Sequence, residues 1–274
     1  MKYIVCLLCS ILLLSSCSKY QRLVKSSDMD AKYKAAVAYY EKKDYYHALQ
    51  LFEELITIFR GTSRAEQSYY YYAFCTYNVD DYAMAAYQFN NFVSSYPNSK
   101  YAEEMQFMYA YCFYKDSPGS SLDQTNTLDA IEKFQLFTNK FPKSDRVPEA
   151  NKLIDELRLK LEVKAFDNAR LYYRTENYKA AIYAFENFLK DFPGSEYKEE
   201  ALFLSVKAAY IYADNSIESK KDERFKTTID QYYKLIDSFP QSRYLRDAEK
   251  YYDNSRKALG MDKTTSIAKP ELVK

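Results

Sequence analysis

Ala181-Ile182-Tyr183-Ala184-Phe185-Glu186-Asn187-Phe188-Leu189-Lys190-Asp191-Phe192-Pro193-Gly194-Ser195 decides the fold of this 274-residue chain. Ala181, Phe185, Phe188 and Phe192 follow one another at intervals of 4, 3 and 4. That spacing puts them on one face of an α-helix. Pro193 has no N–H to give and ends the helix. The same face recurs along the chain. Ala48, Phe52, Leu55 and Phe59 precede Arg60; Ala85, Phe89, Phe92 and Tyr96 precede Pro97. Ala130, Phe134, Phe137 and Phe141 precede Pro142; Thr228, Tyr232, Leu235 and Phe239 precede Pro240. A serine stands two residues after each of the four prolines: Ser99, Ser144, Ser195 and Ser242.

A small residue, an aromatic, an apolar residue and a proline in that order resemble the tetratricopeptide repeat, a helix pair of about 34 residues. The closures are 37, 45, 51 and 47 residues apart, starting from Arg60. The first interval is a repeat with a longer turn. The extra length of the others is expected in Asp116–Ser121 between the helices of repeat three, in Val147–Leu161 ahead of repeat four, and near Asp214–Arg224 in repeat five. Ala150, Leu153, Ile154, Leu157 and Leu161 make the second of these an added helix, fused into one that runs to about Tyr173. The predicted fold is therefore all-α: a tetratricopeptide superhelix of five helix pairs, with a capping helix over 243–259. Repeats one to three cover 28–144, and repeats four and five with the cap cover 145–259. Residues 260–274 are polar, without periodicity, and are read as a disordered tail. Ala73, Ala110 and Ala169 are expected where first helices pack closely.

At the other end, Lys2 precedes an apolar run, Ile4 to Leu14, and Ser15-Ser16-Cys17 closes it. The run is too short to span a bilayer and has the flanks of a secretory signal. A cysteine directly after the small pair resembles a bacterial lipobox, which implies removal of residues 1–16 and acylation of Cys17. An ordinary signal with a chance cysteine is the alternative. Residues 17–27 then read as a lipidated tether of at most about 33–36 Å between Ser18 and Ser27.

Composition narrows the function. Lys and Arg total 39 against 38 Asp and Glu, which excludes the basic surface that nucleic acid requires. With 4 glycines and no G-x-G-x-x-G, no phosphate-cradling loop is available. His47 is the only histidine, so neither a histidine metal pair nor a Ser-His-Asp array can form. Cys75 and Cys112 read as small apolar packing residues. Glu103-Glu104 and Glu199-Glu200 read as partners of helix dipoles, and Asp28 and Ser144 as N-caps. No enzyme, cofactor or metal site is expected.

The excess lies in 31 tyrosines and 17 phenylalanines. In a tetratricopeptide array the first helix of each pair lines the concave side. Its groove-facing positions give Tyr33, Val37 and Tyr40 in repeat one, Tyr70, Phe74 and Tyr77 in repeat two, and Phe107, Tyr111 and Tyr114 in repeat three. Asp30, Gln67 and Glu104 stand ahead of them. Repeat four gives Val163, Phe166, Arg170 and Tyr173, and repeat five Glu200, Phe203, Lys207 and Tyr210. Tyrosine offers broad contact area, few rotamers and a polar tip, which suits an extended peptide. The first nine are candidate peptide contacts; Arg170, Tyr173, Lys207 and Tyr210 are candidate partner contacts. Packing of these rings within the scaffold is the competing reading.

The lipobox, five repeats and aromatic-Pro-x-Ser closures together resemble the BamD family, lipoproteins of the outer-membrane β-barrel assembly machine. The resemblance spans about 20–259. It is carried best by Leu161 to Lys164, Asn168 to Tyr173, Asn177 to Ile182, Asp191 to Pro193, and Tyr96 to Glu104. The insertions and the tyrosine content depart from the familiar proteobacterial members. The resemblance implies a non-catalytic scaffold anchored in the outer membrane and facing the periplasm. Its C-terminal repeats would bind the periplasmic domains of a BamA-like barrel insertase. Its N-terminal repeats would receive the aromatic-ended strand of unfolded outer-membrane barrel proteins. Another periplasmic tetratricopeptide lipoprotein, serving envelope constriction or cell-wall machinery, is the alternative.

Overall fold

The computed structural model describes residues 19–261. The signal segment, Cys17 and most of the expected tail lie outside the described residues. Helices follow in pairs: α1 (Met29–Glu41) with α2 (Tyr45–Ile58), α3 (Ala65–Asn78) with α4 (Tyr82–Ser95), and α5 (Ala102–Asp116) with α6 (Thr125–Lys140). Then come α7 (Val147–Arg174), α8 (Tyr178–Asp191), α9 (Lys198–Asp214), α10 (Glu218–Ser238) and α11 (Leu245–Ala258). No strand occurs among the described residues. The all-α tetratricopeptide reading holds.

The repeating apolar face is what the helices bury. Ala48, Ala85, Ala130, Ala181 and Thr228 are fully buried, as are Phe52, Phe89, Phe134 and Phe185. Leu55, Phe92, Phe137, Phe188 and Leu235 complete the set. Ala73, Ala110 and Ala169, from the first helices, are also inaccessible. Asp44 and Asp81 cap the second helices of repeats one and two by accepting from the N–H groups of His47 and Met84. Asp28 caps α1, accepting from Ala31 at 2.9 Å. Between the helices of repeats one, two and four, Lys43, Asp80 and Glu176 each adopt a left-handed conformation, at φ 61°, 63° and 61°.

The three insertions fall where expected. Residues 117–124 form the loop between α5 and α6, and 147–161 are helical within α7. The third also falls where expected, within 214–224: residues 218–224 lengthen α10 at its N-terminal end, giving it 21 residues against 14 in α4 and α8.

The chain forms two compact units that divide between Arg158 and Leu159. Ala150, Leu153, Ile154 and Leu157, from the first half of α7, complete the core of the first unit beside Phe134 and Phe137. In the second unit one cluster surrounds Phe166, Phe185 and Phe188, and another surrounds Leu202, Leu235 and Tyr252. Helix α11 packs on α10 and reaches α9, covering Val206 and Leu235.

The tether reading needs correction. Residues 19–24 are helical, and Tyr20, Leu23 and Val24 pack on repeat one. Tyr20 is 8% exposed, and its hydroxyl donates to Gln50 Oε1 at 2.7 Å and to the His47 carbonyl at 3.2 Å. Residues 19–24 are therefore docked on repeat one.

Candidate functional site

Each repeat closes in the same way, and the closure decides which groove positions stay accessible. The aromatic before the proline position donates its N–H to the carbonyl four residues back: Phe59 to Leu55, Tyr96 to Phe92, Phe141 to Phe137, Phe192 to Phe188 and Phe239 to Leu235, all at 2.8–2.9 Å. The closing hydroxyl then accepts the N–H two residues on: Thr62 from Arg64, Ser99 from Tyr101, Ser144 from Arg146, Ser195 from Tyr197 and Ser242 from Tyr244. In three closures it also donates to a glutamate. Ser99 reaches Glu66 at 2.7 Å, Ser144 reaches Glu103 at 2.6 Å, and Ser195 reaches Glu162 at 2.5 Å. At the last closure Glu199 accepts the Arg243 N–H at 3.0 Å.

The residue two after the closing hydroxyl is planar in every repeat, and it covers a ring of the same repeat's first helix. The Arg64 guanidinium lies 5.5 Å from the Tyr33 ring centre, and that of Arg146 lies 3.5 Å from Phe107. Tyr101 packs on Tyr70 at 4.6 Å, Tyr197 stacks on Phe166 at 4.6 Å, and Tyr244 stacks on Phe203 at 4.5 Å. The Thr62-Ser63-Arg64, Ser99-Lys100-Tyr101 and Ser144-Asp145-Arg146 triplets carry this signal in sequence, where it was missed.

Two candidate contacts are thereby corrected. Phe107 is fully buried, with Phe134 and Phe137 each 5.4 Å away and Arg146 over its face. Phe74 is buried against Phe89 at 5.2 Å. Both rings belong to the core. Phe166, named with them in repeat four, is buried as well.

The other candidates of the first unit are half-buried: Tyr33, Val37, Tyr40, Tyr70, Tyr77, Tyr111 and Tyr114. They form lines across α1, α3 and α5. Tyr40 meets Tyr71 at 4.8 Å, and Tyr71 meets Tyr70 at 5.7 Å. The Tyr70 hydroxyl donates to Glu104 at 3.2 Å. Tyr77 meets Tyr111 at 6.3 Å, Tyr111 stacks on Tyr114 at 5.4 Å, and the Tyr114 hydroxyl donates to Glu156 at 2.8 Å. Tyr71, absent from the predicted set, joins α1 to α3. Burial first, and the Glu104 carboxylate second, push the Tyr70 hydroxyl well above the ordinary tyrosine range. Burial raises Tyr77 to about 12. These hydroxyls remain donors at any physiological pH.

The second unit presents a charged aromatic surface. Arg170 stands 3.8 Å from Asp167 and 4.0 Å from Glu200. The Lys207 ammonium lies 5.6 Å from the Tyr173 ring centre, and a hydrogen bond to Tyr173 raises its pKa. Tyr210 packs on Phe225 at 6.0 Å and on Tyr251 of α11 at 5.1 Å. All four candidates are half-buried. Tyr251 was not anticipated, because α11 was read as a cap alone.

His47 is not simply turned to solvent. Its Nδ1 lies 2.8 Å from Asp44, and its ring meets those of Tyr20 and Tyr39 at 4.3 and 5.3 Å. Cys75 and Cys112 are buried free thiols, and burial raises Cys75 to about 12. Ser144 accepts from Arg146 as a turn residue; it does not cap α7. Among the described residues no cluster of His, Cys, Asp and Glu is arranged to hold a metal ion. No helix among them is long and apolar enough to cross a membrane.

No curated protein sequence matches the chain. Among solved structures, it is similar to the TPR2AB domain of yeast Sti1 in its pHSP90 complex, with 13% identity and a TM-score of 0.41 over 85% of this chain and 84% of that one. It is also similar to the apo form of RapI, with 14% identity and a TM-score of 0.37 over 91% and 93% of the respective chains. The model of the YfiO family, described as outer membrane lipoproteins, matches residues 25–170 and 160–269. The chain belongs to this YfiO family of outer membrane lipoproteins, the BamD family that its lipobox and repeats resemble.

Proposed function

We propose that this lipoprotein is a non-catalytic scaffold of outer-membrane β-barrel assembly, anchored through Cys17 and facing the periplasm. The first unit receives extended, aromatic-rich segments of unfolded barrel proteins. The second unit holds the periplasmic domains of a BamA-like insertase through Arg170, Tyr173, Lys207 and Tyr210.

One observation carries the reading: half-buried tyrosines run across α1, α3 and α5, joined ring to ring and ending on Glu104 and Glu156. A half-buried tyrosine keeps an apolar flank and a polar tip for a partner, and its orientation is already fixed, so little rotamer entropy remains to be lost on binding. A peptide laid across them finds hydrophobic area without a deep pocket.

Photo-crosslinking residues placed at Tyr70 and Tyr111 in the full-length lipoprotein test this. The expected product is an adduct with unfolded outer-membrane barrel chains. Adducts with cell-wall enzymes alone would establish the competing scaffold role. Tyr70→Glu with Tyr111→Glu is expected to weaken binding of an aromatic-ended barrel peptide at least tenfold while helical content is unchanged.

A further inference from the structure

The anchor end of repeat one carries a surface that the peptide-binding reading leaves unused. With Tyr20, Leu23 and Val24 turned inward, helical geometry puts Lys19, Arg22 and Lys25 on the opposite side of the 19–24 segment and its following turn, and all three are exposed. Tyr20 packs on Tyr39 and His47, beside the turn that joins α1 to α2. That turn adds exposed Lys42 and Lys43. Next to it stands the Tyr46 ring, 64% exposed and 6.1 Å from His47. Acidic groups near this surface are Glu41, which is exposed, Asp44, which is engaged with His47, and Asp28, which caps α1. Residues 18–27 contain no Asp or Glu.

Chain length says what covers this surface. Three residue steps lead from Cys17 to the docked Tyr20, a reach of at most about 11 Å. An acyl chain on Cys17 therefore brings the basic end within roughly a Debye length of the lipid, where each Lys or Arg is drawn to anionic headgroups. An exposed tyrosine is the side chain favoured at that depth. We propose that Lys19, Arg22, Lys25, Lys42, Lys43 and Tyr46 form a membrane-docking face that takes anionic phospholipid headgroups. The protein is then held by two signals, acyl chain and basic patch, and its first repeat is pressed to the bilayer rather than left on a leash. The proposal rests on the lipid-anchored reading for the position of the membrane.

The test uses the full mature chain with Cys17→Ser, so that no acyl chain contributes. Binding is measured to vesicles of phosphatidylcholine alone and of phosphatidylcholine mixed with phosphatidylglycerol. The expected result is binding to the mixed vesicles only, lost as sodium chloride is raised. Lys19→Gln, Lys25→Gln and Lys42→Gln together should weaken it about 100-fold, at roughly fivefold per charge. Neutralising Lys179, Lys226 and Lys257 of the second unit should change it little. Circular dichroism confirms that each variant is folded. Equal binding to both vesicles, or equal loss in the two triple variants, overturns the docking face. The intact mass of the envelope-purified protein tests the anchor separately. A missing acyl group with vesicle binding retained sinks the anchor and supports the face; an acylated protein indifferent to lipid charge sinks the face alone.

Discussion

Glu66, Glu103, Glu162 and Glu199 show how much one side chain can hold at a repeat boundary. In sequence Glu103 and Glu199 look like acidic residues placed for the helix dipole. In the fold each reaches its repeat's own closure: Glu66, Glu103 and Glu162 accept a serine hydroxyl, and Glu199 accepts a backbone N–H. The second glutamate of each pair does a different job. Glu104 accepts from Tyr70, and Glu200 faces Arg170. A hydroxyl donating to a half-buried carboxylate is a charge-assisted bond. Ser144→Ala is expected to cost about 1–2 kcal/mol, since Glu103 loses a donor that water replaces only in part. A lower urea midpoint with an unchanged slope would bear this out. An unmoved midpoint would reduce the serine to a turn residue.

At the level of the element, the 4-3-4 aromatic face was legible because every closure repeats it and because the helices bury its first three positions. Phe137→Ala should destabilise by about 3–5 kcal/mol, the cost of lost transfer energy plus a cavity. Leu136→Ala, next to it but 48% exposed, should change stability by no more than about 0.5 kcal/mol. Paired unfolding curves of the two variants separate burial from mere hydrophobicity. What escaped the sequence escaped for definite reasons. Tyr20, Leu23 and Val24 have helical spacing, but over too few residues for periodicity to distinguish a helix from a tether. Phe74 and Phe107 sit at groove positions by count; Phe74 is covered by Phe89 of its own repeat's second helix, and Phe107 by Arg146 of a closure far downstream.

For the whole molecule, the tyrosine content ties stability to alkali. Burial is the largest cause that raises Tyr20, Tyr69, Tyr77 and Tyr232 from an ordinary 10.0 to about 12. The unfolded chain releases those protons near 10, and the folded chain keeps them. The stabilisation is fully present below pH 10 and is lost as pH rises through about 12. Unfolding in mild urea should therefore steepen across about pH 10–12, with a jump in tyrosinate absorbance at the transition. A gradual rise in absorbance without loss of helix would mean that these hydroxyls titrate in place.

The planar residue after each closure has one last consequence, for the order in which the molecule can be built. Tyr33, Tyr70, Phe107, Phe166 and Phe203 obtain their lids from Arg64, Tyr101, Arg146, Tyr197 and Tyr244, each at the threshold of the next groove-lining segment. A polypeptide emerging amino end first thus leaves one aromatic uncovered at its growing edge. That edge is sealed only when the next stretch arrives, so vectorial emergence zips the array shut one ring at a time.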